Sequence, residues 1–279
     1  MSDAIVAAAA AAAVGATGTG AADAGTTGAR AKMSVQDLRV SFGAFEALRG
    51  LSIEVQPRAV LGVIGPAGSA KTTFLRALNR MNELAPGCRT RGRVLLDGQD
   101  IYATGMDPSE LRRKVGMVFA MPLPLPMSVY DNICYGPRLA GIRDKASLDE
   151  LAERSLRAAF LWDEVKDRLG RSGLRLSGGQ QQRLCLARTL AMEPEVVLLD
   201  EPSSGLDPVS TAKIEDAIAV LKEKIAFVLV TNNTKQAARV ADVTAFFLMG
   251  ELVEIGPTGK LFTNPADRRT DDYLTGRFG

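Results

Sequence analysis

From Ser34 onward, short runs of apolar and β-branched residues alternate with polar stretches. "MSVQDLRVSF" and "LSIEVQPRAVLGVIG" have the alternating or clustered pattern of strands. The second run passes into "TTFLRALNRMNEL", where Phe74, Leu78 and Met81 recur at helical spacing and predict one continuous helix. "RGRVLLDGQDI" reads as a hairpin turning at Asp97-Gly98. Residues 108–119 give a short helix and then the strand "VGMVF". "MPLPLPMSVYDNI", with three prolines in five residues, is a loop, because proline lacks the N–H that regular elements need. Residues 128–169 are helical, including the amphipathic "LDELAERSLRAAFLWDEVKDRL", and a further helix is expected from Gln180 to about Met192. "EVVLLDEP" and "IAFVLVTNN" are apolar throughout, as strands of a parallel sheet buried on both faces are. "TAFFLMGELVEIG" is a last hairpin, turning at Gly250-Glu251, and no internal repeat is found.

With 279 residues, 46% hydrophobic and 24% charged, the chain is long enough for one large α/β domain with a substantial core. Its net charge of +2 and the lack of a basic stripe in the sequence argue against a nucleic-acid partner. Cys88, Cys134 and Cys185 are scattered and form no C-x-x-C pair, which speaks against a zinc site or a disulfide framework and for a reducing compartment. There is no histidine, so no imidazole carries a proton in any mechanism here. Residues 1–33 form an Ala/Gly-rich stretch containing "AIVAAAAAAAV". Asp3 stands where a secretory signal carries positive charge, so this stretch is expected to be a low-complexity tail or an over-long start before Met33.

Three stretches carry chemistry. "GPAGSAKTT" (Gly65, Pro66, Ala67, Gly68, Ser69, Ala70, Lys71, Thr72, Thr73) fits the phosphate-loop pattern G-x-x-x-x-G-K-[ST] except at Ala70, where glycine is expected. In such a loop, backbone N–H groups cradle a nucleotide's phosphates, the lysine reaches the terminal phosphates, and the hydroxyl of Thr72 meets Mg²⁺. The alternative is a glycine-rich strand-to-helix turn with an exposed lysine. "VVLLDEP" ends a buried strand in two acids: Asp200 suits Mg²⁺ and Glu201 suits a general base toward the attacking water, unless both are merely solvated. "LSGGQQQR" opens a helix with a second cluster of amide donors, about 20 residues before the acids.

Together, in this order, these motifs resemble the ATP-binding-cassette family, whose signature is "LSGGQ". The resemblance implies that Ser177, Gly178, Gly179 and Gln180 meet the γ-phosphate of ATP held by a second subunit, in a head-to-tail dimer. "SSGLDP" matches the family's next element, with Asp207 crossing that interface, and Phe42 stands where an aromatic stacks on adenine, though it reads equally as one more core aromatic. "PLPMSVYDNICYG", "TKQAARVADVTAFFLMGELVE" and "FTNPADRRTDDYLTGRFG" are similar to the ATP-binding subunit of Pst-type phosphate importers. That likeness covers about residues 34–279. It implies an α/β P-loop core with a mixed, mainly parallel sheet, an antiparallel β subdomain, and a helical subdomain at about residues 127–190. It also implies ATP and Mg²⁺ as cofactors. The protein would lie peripherally on the cytoplasmic face of the inner membrane, beneath two membrane permease subunits fed by a periplasmic phosphate-binding protein.

Three positions depart from the family around the γ-phosphate. Ala70 replaces glycine, and its methyl group either strains the backbone or intrudes on the phosphates. Ala120 replaces a glutamine that touches Mg²⁺ and the attacking water, and Asn232 replaces a histidine that bonds the γ-phosphate. The expected function is therefore an ATPase subunit of a phosphate importer, with activity reduced by these three residues. The alternative is a catalytically impaired, nucleotide-binding regulatory subunit. A soluble cassette acting on nucleic acid is disfavoured by the single cassette and the importer-like proline loop.

Overall fold

Residues 30–277 are described by the computed structural model; most of the Ala/Gly-rich tail, residues 1–29, lies outside the described residues. Strands β1 (Met33–Phe42) and β2 (Phe45–Val55) form an antiparallel hairpin. The five residues of β3 (Val60–Ile64) are all buried. A loop leads from β3 into α1 (Lys71–Ala77), followed by a 3-10 turn over Met81–Leu84 and by β4 (Cys88–Leu96) and β5 (Gln99–Asp100). The single helix expected over "TTFLRALNRMNEL" is thus two pieces. The helix ends at Ala77, and Arg80, before the 3-10 turn, takes φ 60° while its guanidinium donates to the carbonyls of Ile101 and Met106, both at 3.2 Å. Phe74 and Leu78 are buried, and Met81 is half-buried. The β4–β5 turn is Asp97-Gly98, with φ of 49° and 79°, the doubly positive geometry that makes Asp-Gly the natural pair there.

Contacts divide the chain into two units, one ending at Pro108 and resuming at Ala226, the other spanning Ser109–Ile225. The second unit follows the start of α2 (Pro108–Lys114) with β6 (Val115–Val118), α3 (Val129–Leu139), α4 (Lys145–Ala158), α5 (Trp162–Val165), α6 (Gly178–Leu190), β7 (Val196–Asp200) and α7 (Pro208–Leu221). β6 and β7 pair in parallel from Val115↔Val196 to Val118↔Leu199. The proline loop between β6 and α3 is irregular, as expected, and is pinned by buried Asn132. That side chain accepts from Leu125 N at 2.7 Å and donates to the carbonyls of Leu125 (3.1 Å) and Ser128 (2.9 Å). Helix α6 begins two residues before the expected Gln180 because Ser177 caps it.

The chain then returns to the first unit through β8 (Ala226–Val230), α8 (Thr234–Val240), β9 (Val243–Leu248), β10 (Glu251–Pro257), α9 (Thr258–Thr263) and α10 (Arg268–Leu274). Here the order is β10-β9-β3-β8: β3 is parallel to β8 and β9, and β10 is antiparallel to β9. A separate antiparallel sheet has the order β2-β1-β4-β5. Phe74 and Phe247 meet edge-on at 5.2 Å between ring centroids, tying α1 to β9. The last hairpin turns at Met249-Gly250, one residue earlier than expected, with φ of 50° and 82°. Gly250 is required there, since a Cβ would fall 2.2 Å from the carbonyl oxygen of Ala47. Cross-strand register puts Arg49, Arg39 and Arg91 side by side on three strands, a basic row assembled from separated positions. Asp37 and Glu46 partly neutralise it through Arg39.

Candidate functional site

The loop of residues 65–70 is shaped by what surrounds it. Gly65 leaves β3 with φ 148°, and a Cβ there would lie 2.1 Å from the carbonyl oxygen of Phe247, so only glycine passes this point. Pro66, Ala67 and Gly68 form the outward turn, closed by Ser69 N donating to Pro66 O at 3.2 Å. Ala70 has φ 69° and ψ 20°, a left-handed conformation, at the N-cap of α1. The backbone strain expected of an alanine here is present. Lys71 is only 6% exposed, and its Nζ donates to Gly65 O (2.7 Å), Pro66 O (2.8 Å) and Ser69 Oγ (3.4 Å). This is a lysine built into its loop rather than one left in solvent. Thr72 and Thr73 lie half-buried in the first turn of α1. In the same unit, Asn232 is exposed just after β8, while Asn233 caps α8 by accepting from Gln236 N at 3.2 Å. Phe42 is half-buried at the end of β1 and pairs across the hairpin with Phe45, which is 66% exposed.

In the second unit, Asp200 ends the apolar β7 and is 6% exposed. Glu201 follows with φ 47°, a left-handed conformation uncommon for glutamate, and its carbonyl accepts from Ser204 N at 3.0 Å. Asp207 caps α7. Its carboxylate accepts from Ser210 Oγ at 2.6 Å and Ser210 N at 2.9 Å, and these bonds hold its pKa below the usual carboxylate value. Ser177 and Gln180 form a reciprocal capping box on α6, with Ser177 N donating to Gln180 Oε1 at 3.1 Å and Gln180 N to Ser177 Oγ at 3.4 Å. This explains the start of the helix and leaves Ser177 and Gly178 exposed. Ala120 lies half-buried just beyond β6, where the Phe119 carbonyl is held by Gln182 Nε2 at 2.8 Å.

Sequence reasoning missed the groups that support this segment. Glu164 accepts from Gln180 Nε2 at 2.8 Å, from Arg183 at 2.7 Å and from Lys213 at 2.5 Å. Burial alone pushes its pKa up, but the bonds from Arg183, Lys213 and Gln180 outweigh burial and bring it down to about 2. Ser210 lies against Gly179. No local motif marks these contacts; only the amphipathic pattern around Glu164 was visible.

A phosphate loop before a helix, an acid pair ending a buried strand and a capped signature helix define a nucleotide-hydrolysing ATPase of the cassette class. The ABC transporter family matches residues 48–204, and the chain belongs to it. It is 55% identical over 246 residues, 88% of this chain and 98% of the relative, to the phosphate import ATP-binding protein PstB 3 of Streptococcus pneumoniae. It is likewise 55% identical over 258 residues, 90% of each chain, to the phosphate import ATP-binding protein PstB of Rubrobacter xylanophilus. Among solved structures, a bacterial Atm1-family ABC exporter with ATP bound matches 90% of this chain and 42% of its own, at 26% identity and a TM-score of 0.73. CbiO1 of Clostridium perfringens, part of the ABC transporter complex cbiONQ, shares the fold at a TM-score of 0.74 and 23% identity, covering 88% of this chain and 96% of its own.

The carboxylate of Asp200 and the hydroxyl of Thr72 are each a hard oxygen donor of the kind Mg²⁺ takes. Among the described residues, no group of three or more His, Cys, Asp or Glu side chains forms a protein cage. No described helix is long and apolar enough to cross a membrane.

Proposed function

We propose that this chain is the ATP-hydrolysing subunit that energises a phosphate importer. The observation that carries the reading is the 55% identity over nearly the whole length of relatives named as phosphate import ATP-binding proteins. The backbone amides of residues 65–71 and the Lys71 ammonium bind the β- and γ-phosphates of ATP, and Phe42 contacts the adenine. Thr72 and Asp200 hold Mg²⁺, which when bound neutralises phosphate charge. Glu201 orients water toward the γ-phosphate and accepts its proton, a role left to a carboxylate because the chain has no histidine. Ser177, Gly178, Gly179 and Gln180 present amide and hydroxyl donors to the ATP of a second copy, and Asp207 and Asn232 complete the site in a head-to-tail dimer. The pair works at the cytoplasmic face of the membrane beneath two permease subunits, with phosphate delivered by a periplasmic binding protein. Phosphate as cargo rests on similarity, since this subunit never touches the transported ion. The test is uptake of radiolabelled phosphate by cells whose own import ATPase is deleted and replaced by this chain together with its permease. Restored uptake that is lost with Glu201→Gln is expected; uptake of another solute but not phosphate would overturn the cargo assignment.

A further inference from the structure

The amide of Gln180 is used at both ends. Its Oε1 accepts from Ser177 N at 3.1 Å, and its Nε2 donates to Glu164 Oε2 at 2.8 Å. A carboxylate can only accept, so Glu164 dictates which end of the amide faces it, and hence that the carbonyl end faces the Ser177 backbone. The same carboxylate binds Arg183, which is 2% exposed and whose Nε reaches back to Gly179 O at 3.3 Å. Its third partner, Lys213, belongs to α7, the helix that Asp207 opens. One carboxylate thus joins α5, the signature helix α6 and the helix behind "SSGLDP". Sixteen residues separate Glu164 from Gln180, and 49 separate it from Lys213.

We propose that Glu164 is a positioning residue of the signature segment, holding Gln180 and the Ser177 backbone in the arrangement that meets ATP and keeping α6 in step with α7. This rests on the reading of residues 177–180 as the contact to a second subunit's nucleotide. Glu164 touches no substrate itself, and the phosphate loop lies in the other unit of the chain. Its loss is therefore expected to spare nucleotide binding by the isolated subunit while impairing the step that needs two subunits.

The experiment compares the parent chain with Glu164→Gln and with Lys213→Met, which removes one donor from a part-exposed position and leaves the buried Arg183 paired. Each is also made in a Glu201→Gln background, where ATP-driven dimers accumulate. Fluorescent-nucleotide affinity, KM, kcat, ATP-driven dimerisation by light scattering and melting temperature are measured. Glu164→Gln is expected to lower kcat and dimerisation about tenfold, with nucleotide affinity and KM within about twofold of the parent, and Lys213→Met to do the same about threefold. If kcat and dimerisation are unchanged, or if nucleotide affinity falls in parallel with them as the melting temperature drops, Glu164 has no positioning role. Failure of the underlying reading shows separately, as absence of ATP-driven dimers in the Glu201→Gln chain with Glu164 intact.

Discussion

A Cβ placed on Gly179 would lie 2.1 Å from Oγ and 2.5 Å from Cβ of Ser210, so the signature helix and the helix capped by Asp207 touch backbone to side chain. Ser210 also donates its hydroxyl to Asp207 at 2.6 Å, so pressure on Ser210 reaches that cap directly. Gly179→Ala is expected to cost about 1–3 kcal/mol of stability by overpacking and to depress ATPase activity. Ser210→Gly removes the clashing atoms but also the Asp207 bond, so the double variant is expected to lose less stability in a urea titration than the two single variants summed. Additive losses in the double variant would show that the two residues are not coupled.

Ala70 offers the opposite sign. A left-handed alanine costs roughly 1–2 kcal/mol, while replacing it by glycine loosens the unfolded chain by about 0.4–1 kcal/mol. The relief of backbone strain outweighs the entropy given to the unfolded chain. Ala70→Gly is expected to stabilise the protein by about 0.5–1 kcal/mol, raising Tm by roughly 2 °C, and to tighten ATP binding. A lower Tm would mean that the alanine is accommodated without strain.

Glu164 leaves a signature in acid. Its folded pKa of about 2 lies below the ordinary 4.5, so between those values the unfolded chain binds a proton that the native chain does not. The stabilisation is complete above the unfolded value and is lost as pH falls through the folded one. Glu164→Gln is expected to be less stable near pH 7 and to have a shallower dependence between about pH 4.5 and pH 2. Chemical denaturation across that range measures it, and parallel curves for parent and variant would contradict the assignment.

Ala120 and Asn232 are expected to limit turnover. Ala120 follows a backbone anchored through Phe119 and Gln182, and Asn232 is exposed just after β8. Ala120→Gln with Asn232→His is expected to raise kcat by about 10²-fold, on the scale of one transition-state contact. The new imidazole would be the only one in the chain, so the variant's kcat should gain an inflection near about pH 6.5 that the parent lacks. Unchanged kcat would mean that the two native residues are tolerated without loss.

Much of this was legible in the sequence because its signals are local. Asp97-Gly98 demands its turn, three prolines forbid regular structure, and an apolar strand ending in Asp200 and Glu201 announces a site. What escaped depends on distant partners. The helix from Lys71 ends at Ala77, and the chain beyond it turns at Arg80, whose guanidinium is held by carbonyls 21 and 26 residues away. The row Arg49–Arg39–Arg91 exists only once strand register is known. Glu164 read as one more polar residue of an amphipathic helix, since its partners lie on two other helices. At Ala70 the sequence showed the departure from pattern, and only the backbone angle showed the strain.

The most direct test of the central claim is steady-state ATP hydrolysis by the purified chain, beside Glu201→Gln and Lys71→Ala. Hydrolysis that falls by about 10²-fold or more in both variants is predicted, with ATP binding kept in Glu201→Gln. A parent chain that binds ATP yet turns over no faster than Glu201→Gln would contradict the account.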